Sequence, residues 1–527
     1  MTRIAIIGSG LAGIACAKGL VSRGFKPIFL DVGQKLDESR RDTVSRLRSL
    51  EPEEWEKKDL EFITLNPTVK GEKFPKKLSF GSDYFYGSSL EGAPLNADSQ
   101  PPPFSFAKGG FGIGWGASAL PPSDKDLVGW PINSQQLSPY FQKLLKDIPY
   151  SAVDDGLSEH FPIFSDNPEP LEITSGNSDI LRKMGKSKSL SKQKVAFGQS
   201  RMLIRSKDEG GKLGCKYCGY CMSGCVYGSI FNPSDELDDM VSRGEVEYHD
   251  GILVTRLSEN NQQVSVYYTD QKSSQIGSLD FDRVFLAAGA LSSARIVMQS
   301  KKIYNKEVKL FTTSGFVLPM LRLKSSPFQW PSVNSEPGVF LEYTLDESPH
   351  WIHSQINTPN EMVMEFLGIR AGSRGIFQRI RRELGKHLII AHCNLHSSYP
   401  ENGYNLTLKP DEKGSGIDQL FSTPFSDPMS KKIIARASRK MFSLGMRFGC
   451  FGLLPFMKTS TAGFHAGGSL PMTLNPSKDT ETNLAGNPKD WERVHVVDSS
   501  VFPSIPGTTI GLLAMANALR VASEVEI

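Results

Sequence analysis

Short apolar runs broken by glycine turns mark both ends of the chain, and a mixed region lies between them. Ile4 to Ile7 is a four-residue apolar run, the pattern of a strand buried on both faces of a parallel sheet. Leu11 to Val21 is built of small and apolar residues and predicts a helix, which Gly24 ends. Pro27 to Leu30 predicts a second strand, with Asp31 at its end. Residues 35–75 are rich in Glu, Lys, Arg and Asp and predict a solvated, partly helical insertion. Residues 245–286 alternate in strand fashion, with turns at Asn260-Asn261 and from Gln271 to Ser274. Phe281 to Ile296 predicts a buried strand, a glycine turn and a helix, a later part of the same sheet. Residues 305–460 mix strand-like segments (Gly338 to Tyr343, Leu388 to Asn394) with polar loops and a basic helix near Arg379 to Lys386. From Val494 the pattern returns to a strand, a turn and a long helix of small residues reaching Val525. Strand and helix alternate at the two ends, so the expected class is α/β with a Rossmann-like sheet and an inserted α+β lobe.

The first turn carries chemistry. Gly8, Gly10 and Gly13 stand in G-x-G-x-x-G register between a strand and a helix. Gly8 permits the tight turn, Gly10 lets a pyrophosphate approach the backbone, and Gly13 lets the helix pack on the strand. The open N–H groups and dipole of the helix start attract phosphate. Asp31 follows at the distance where an acid accepts hydrogen bonds from an adenosine ribose.

Composition narrows the setting. The 527 residues are enough for two or three lobes, and 39% hydrophobic with 22% charged residues is ordinary for a globular protein. A net charge of +3 without a basic block argues against a nucleic-acid partner. There is no apolar run of membrane-spanning length, and the first strand begins too early for a signal peptide. The expected location is cytoplasmic, unless a partner subunit carries an export signal for both.

Three further stretches stand out. Ala107 to Ala119 holds many glycines interleaved with Phe111, Ile113 and Trp115, as suits a loop lying against a flat ligand. Cys215, Cys218, Cys221 and Cys225 have the spacing C-x2-C-x2-C-x3-C. An iron–sulfur cluster, a zinc site, a local disulfide and unligated thiols all remain open for them. His465 lies in Ala462-Gly-Phe-His-Ala-Gly-Gly, a loop histidine suited to proton transfer. The turn near Thr508 to Gly511 opens the last helix and suits negative charge. His350, His353, His392 and His396 lie in the middle region. The strand pattern around His392 takes His392 and His396 off a common helical face, so packing or surface roles are expected for all four.

In order, these motifs resemble the glucose-methanol-choline (GMC) oxidoreductases, FAD enzymes that act on alcohols. The glycine fingerprint, the loop before Trp130-Pro-Ile, the Ala287-Ala-Gly-Ala-Leu turn, His465-x-Gly-Gly and Val496-Val-Asp-Ser-Ser-Val-Phe-Pro carry the resemblance. The bacterial FAD-dependent sugar and polyol dehydrogenases, of the glucose dehydrogenase catalytic-subunit type, are the most similar branch. The resemblance implies that Gly8, Gly10, Leu11, Ala12, Gly13 and Asp31 bind the ADP half of FAD, with the Val254 backbone meeting the adenine. It places Gly110, Gly114, Trp115, Gly116, Ala117 and Ser118 along the flavin, with Ala288, Gly289, Asp498, Val501 and Thr508 as further contacts. His465 corresponds to the catalytic base, and Thr509 stands where the family has Asn or His. Threonine cannot act as a base near pH 7, which leaves His465 alone in that role. The branch also implies a 3Fe–4S or 4Fe–4S cluster on the cysteine loop. Cys215, Cys221 and Cys225 fit the three-ligand spacing, with Cys218 as an extra.

The domain layout expected from the resemblance is an FAD-binding domain from 1–125, 201–304 and 461–527, and a substrate domain from 126–200 and 305–460. The implied activity is oxidation of a CH–OH group of a sugar, polyol or sugar-containing substrate. His465 takes the proton, flavin N5 takes the hydride, and the cluster passes electrons to an acceptor protein or small subunit. An oxygen-using oxidase, a non-redox lyase or isomerase, and an electron-transfer subunit are the rival readings.

Overall fold

The computed structural model describes residues 2–64, 77–327, 329, 331–360, 363, 375–411 and 417–527. Five strands form a parallel sheet in the order Val494–Val496, Arg283–Leu286, Ile4–Ile7, Ile28–Leu30, Glu247–His249. All four residues of Ile4–Ile7 are buried, as expected of a strand covered on both faces. The helix Leu11–Val21 follows it and packs on the helix Gly511–Glu524. Gly19 makes that approach possible, because a Cβ there would stand 2.8 Å from the Ala522 Cβ.

The alternating stretch after residue 250 forms a three-stranded antiparallel sheet, Ile252–Glu259, Val264–Asp270 and Ile276–Phe281, with a register shift between Val254 and Arg256. The middle region supplies a seven-stranded sheet with antiparallel pairings. It runs from Cys450–Gly452 through Ser314–Arg322, Leu388–Leu395, Ile352–Asn357 and Val339–Tyr343 to Val195–Gln199, with Lys458–Ser460 also on Ser314–Arg322. A fourth sheet of five strands, with parallel and antiparallel pairings, runs Ala466–Gly467, Glu307–Thr312, Asn402–Lys409, Gln419–Ser426, Leu95–Ala97. The architecture is therefore α/β, a Rossmann-like domain with an inserted α+β domain.

Side-chain alternation gives the seven-stranded sheet two unlike faces. Val339, Leu341, Tyr343, Ile352, Ile356, Ile389, Ala391 and Cys393 face one apolar core with Ile433, Ala437 and Met441 of the helix Ser430–Arg447. The intervening residues, Glu342, His353, Gln355, His392 and Asn394, share the opposite face, because His353 is paired with Glu342 and Asn394, and Gln355 with His392. That polar face looks toward the glycine-rich loops.

Two local expectations agree with the structure. The polar insertion contains helices Glu38–Arg48 and Lys57–Thr64, while the rest of it, 65–76, lies outside the described residues. Leu388–Leu395 is a strand, so His392 and His396 share no helical face.

Candidate active site: a glycine cradle facing a histidine cluster

The cradle is assembled from three turns. Gly8, at φ +95°, packs so closely on the turn after Arg283–Leu286 that a Cβ would stand 2.6 Å from the Ala287 oxygen. A Cβ on Gly13 would stand 2.2 Å from the Gly8 oxygen, so helix and strand meet without side chains between them. Gly10 differs: its nearest neighbour beyond the turn is the Gly109 oxygen at 4.0 Å, and Gly289 has nothing within 4 Å. These two positions leave bare backbone facing open space beside Ala288. Gly10 is the N-cap of Leu11–Val21 with no side-chain cap, so the N–H groups at Leu11 and Ala12 begin the helix open to a ligand.

Asp31 sits buried at the end of its strand. The Ser9 hydroxyl donates to its carboxylate, as does the Tyr248 hydroxyl at 3.3 Å, and Ser9 Oγ accepts from the Gly109 N–H at 2.9 Å. Burial raises the Asp31 pKa to about 6 against these hydrogen bonds. Sequence reasoning missed Ser9 and Tyr248; Ser9, inside the fingerprint, ties its glycines to the second glycine loop. Val254 lies buried at the register shift of its strand.

The loop Gly110 to Ser118 is held from several directions. A short 3-10 turn spans Gly110–Ile113. Gly114 lies against the Phe85 ring, and Gly116 against the Glu336 carboxylate, which Lys77 Nζ pairs at 2.9 Å. Trp115 Nε1 donates to the Phe231 carbonyl at 2.9 Å, and its ring packs on Gly511 at the start of the last helix. Ala117 takes φ +52° and Leu203 N–H donates to its carbonyl at 2.8 Å. The Ser118 hydroxyl accepts from Gln355 Nε2 at 3.3 Å, which joins this loop to the polar sheet face.

From there a continuous network runs inward. Gln355 Nε2 also donates to His353 Nε2 at 3.2 Å, and His353 Nδ1 donates to Glu342 Oε1 at 2.6 Å. Burial pushes the Glu342 carboxyl up, while His353 beside it pulls it down. His465 and His392 complete the cluster. Both are enclosed by protein yet keep accessible surface, as side chains lining an internal cleft do. Burial lowers both to about 4; His353 repels a charge on either, and His392 repels one on His465. His465 is thus a neutral imidazole near pH 7, and its Nδ1 has no hydrogen-bond partner among the described residues. Its carbonyl accepts from Thr313 N–H at 3.1 Å, which fixes the loop.

The C-terminal turn is tightly tied. Leu120 N–H donates to Thr509 Oγ1 at 2.8 Å, so this hydroxyl serves the backbone that leaves the glycine loop. Asp498 accepts from Gly289 N–H at 2.8 Å and Ser500 N–H at 2.9 Å, holding the Ala288-Gly289 turn onto the last strand. Val501 and Thr508 are buried beside it.

The cysteine loop is split. Asn334 lies between Cys215 and Cys221, with Nδ2 3.5 Å from the Cys215 sulfur and Oδ1 3.8 Å from the Cys221 sulfur. The Ser229 N–H donates to the Cys225 sulfur at 3.3 Å. Cys218 instead packs with Trp55, Phe80 and Val226. Burial pushes the Cys215 thiol up to about 11. Among the described residues no group of three or more His, Cys, Asp or Glu is arranged to hold a metal ion. The structure therefore gives the expected cluster no support, and the Asn334 amide lies between two of its thiols.

Fold and site together define an α/β protein whose Rossmann-like domain carries bare glycine turns, linked through Ser118 and Gln355 to a histidine cluster. Among solved structures, the crystal structure of pyridoxine 4-oxidase from Mesorbium loti is similar over almost the whole chain. The TM-score is 0.60 at 15% sequence identity, covering 99% of this chain and 98% of that one. No family model matches the sequence, and no curated protein matches it. Among the described residues no helix is long and apolar enough to cross a membrane.

Proposed function

We propose that the protein is a flavin-dependent oxidoreductase of the GMC type that oxidises a CH–OH group, with a sugar or polyol as substrate class. The observation that carries this reading is the bare glycine cradle joined through Ser118 and Gln355 to the histidine-bearing sheet face, with the neutral His465 in the same cluster. The cradle fits FAD, because a Cβ would fill Gly8 and Gly13 but Gly10 and Gly289 are open toward the ligand side. Gly8, Gly10, Leu11, Ala12, Gly13, Asp31 and Val254 would hold the ADP half, and Gly110 to Ser118, Ala288, Gly289, Asp498, Val501 and Thr508 the flavin half. Bound there, FAD supplies an acceptor for the hydride of the carbinol carbon.

The chain's own residues handle the proton. His465, uncharged near pH 7 and with part of its ring accessible, accepts the hydroxyl proton. Gln355, held in place by His353, orients the substrate oxygen, with Glu342 fixing the His353 tautomer. The polar sheet face of Gln355, His392 and Asn394 suits a substrate with several hydroxyls, which is the support for a sugar or polyol. Electrons then leave to an external acceptor; no step is routed through the cysteine loop. The likeness to an enzyme named an oxidase favours a second reading, with oxygen as acceptor. Peroxide release matching turnover identifies that case.

The test is anaerobic mixing of His465→Ala with substrate. The variant is expected to keep FAD and to lose flavin bleaching by roughly 100-fold or more. Bleaching at the parent rate removes His465 as the base, and product formation without bleaching in the parent selects the non-redox reading.

A further inference from the structure

The helix Ile376–His387, IFQRIRRELGKH, is turned the wrong way for a soluble surface helix. Such a helix normally lays its apolar stripe on the core. Here only Gly385 is buried, while Ile376 is 70% exposed, Phe377 74%, Ile380 61% and Leu384 47%. At 3.6 residues per turn these four fall within one arc of about 100°. Glu383, paired with Lys386 at 2.6 Å, and then Arg379 border that arc on one side, and Arg381 borders it on the other, all exposed except the half-buried Lys386. The apolar surface extends past the helix end. His387 Nδ1 lies 2.9 Å from the Arg322 carbonyl and Arg322 Nη2 donates to the Lys386 carbonyl at 3.0 Å, which sets Leu323, 76% exposed, and exposed Lys324 beside it.

We propose that this face docks onto the surface of an anionic lipid bilayer, with the helix lying in the plane of the interface. The four apolar side chains enter the acyl boundary, and the flanking arginines, whose long stems reach outward, meet the anionic headgroups. Charge decides between the occupants. The helix carries Arg379, Arg381, Arg382 and Lys386 against the single acid Glu383, so a second copy docked about a two-fold axis brings two net-positive faces together, whereas anionic headgroups complement that charge. The inference is independent of the catalytic reading, since the helix contributes nothing to the cleft.

Flotation of the full-length, FAD-loaded protein tests it, using vesicles of phosphatidylcholine alone or mixed with phosphatidylglycerol. The parent is expected to float with the mixed vesicles at low salt and to be released as salt rises. Phe377→Glu combined with Ile380→Glu is expected to lower the bound fraction about tenfold or more, and Arg379→Gln with Arg381→Gln to erase the preference for the anionic vesicles. Unchanged flavin content and melting temperature show that the variants are folded. The proposal is overturned if the parent fails to float with either vesicle, or if the Glu variant floats equally well. It is also overturned if the parent is a dimer in solution that the Glu variant dissociates without any vesicle binding, which gives the face to a second copy.

Discussion

His353 Nδ1 lies 2.6 Å from Glu342 Oε1, and both side chains are fully buried. The two stand opposite each other on neighbouring strands, so sheet register and not a loop fixes their contact. The remaining His353 nitrogen is held by Gln355, which in turn reaches Ser118 in the glycine loop. A buried carboxylate is thereby coupled to the wall of the cleft through three side chains.

Removing one member of this pair strands the other. Glu342→Ala is expected to destabilise the fold by about 3–5 kcal/mol, the cost of leaving an uncompensated buried partner. Urea unfolding of the holoprotein measures it. Glu342→Gln keeps the shape but weakens the hold on the His353 tautomer. Its flavin reduction should slow by roughly tenfold with little change in substrate affinity. An unaltered rate in a folded Glu342→Gln variant removes the positioning role.

The ionisation of His465 sets the acid limb of activity. Its pKa is lowered to about 4, so the imidazole is neutral and able to accept a proton through the neutral range. Flavin reduction by substrate should therefore be level from about pH 6 to 8 and decline only as pH falls toward 4. Rapid mixing across that range gives the profile. A midpoint near the ordinary histidine value points to a different base.

His396 predicts acid sensitivity of the fold. Its Nδ1 accepts from Ser398 N–H at 3.1 Å, so Nε2–H donates to the Asp126 carbonyl at 3.1 Å, and the ring stacks 3.8 Å from that of His350. Only the neutral ring satisfies these contacts, and burial with the His350 charge lowers its pKa to about 3. The folded value lies below the unfolded one, so the unfolded chain takes up the proton first. Stability from this group is complete above about pH 6.5 and is lost as pH falls toward 3. Parent and His396→Gln should therefore differ most near pH 7 and converge near pH 4.5 in urea titrations. A gap that widens in acid contradicts the assignment.

The fingerprint glycines separate into two kinds. Gly13→Ala drives a methyl into the Gly8 carbonyl and should cost about 1–3 kcal/mol or more, visible as a lower melting temperature. A Cβ at Gly10 comes no closer than 4.0 Å to the Gly109 oxygen, so Gly10→Val should leave the fold intact while flavin content falls by about tenfold. A Gly10→Val variant that keeps full flavin places the cofactor elsewhere.

Iron and acid-labile sulfide, assayed on anaerobically purified protein, check the cysteine loop. With Asn334 between Cys215 and Cys221, less than one iron per chain is expected. About three irons, lost in Cys221→Ser but kept in Cys218→Ser, mean that the three thiols draw together with Asn334 displaced.

The parts of the site that were legible in sequence are those that depend on local backbone. The strand, glycines, helix and Asp31 of the fingerprint lie within a short stretch, and their spacing follows from turn geometry. The last helix and the His465 loop were legible for the same reason. His353, Glu342, His392 and Gln355 were not, because only strand register brings positions 342, 353, 355 and 392 together. One signal was available. Glu342 interrupts the apolar run Val339-Phe-Leu-Glu-Tyr343, and His353 and Gln355 alternate with Ile352 and Ile356. A carboxylate inside such a strand requires a buried partner. The role of Thr509 was equally hidden, since its hydroxyl is bound to Leu120, far away in sequence.

The order of strands in the parallel sheet has a consequence for how the chain is made. Ile4–Ile7 is flanked by Arg283–Leu286, which in turn needs Val494–Val496, and the helix after Ile4–Ile7 needs Gly511–Glu524 as its cover. Translation delivers these pieces at about 5–20 residues per second, so the first strand waits on the ribosome exposed for much of the synthesis. The apolar run Ile4–Ile7 then lacks its final neighbours until the C-terminal segments emerge. On the reading proposed above, the cofactor cradle is complete only after residues near 511 emerge, so cofactor capture would follow synthesis.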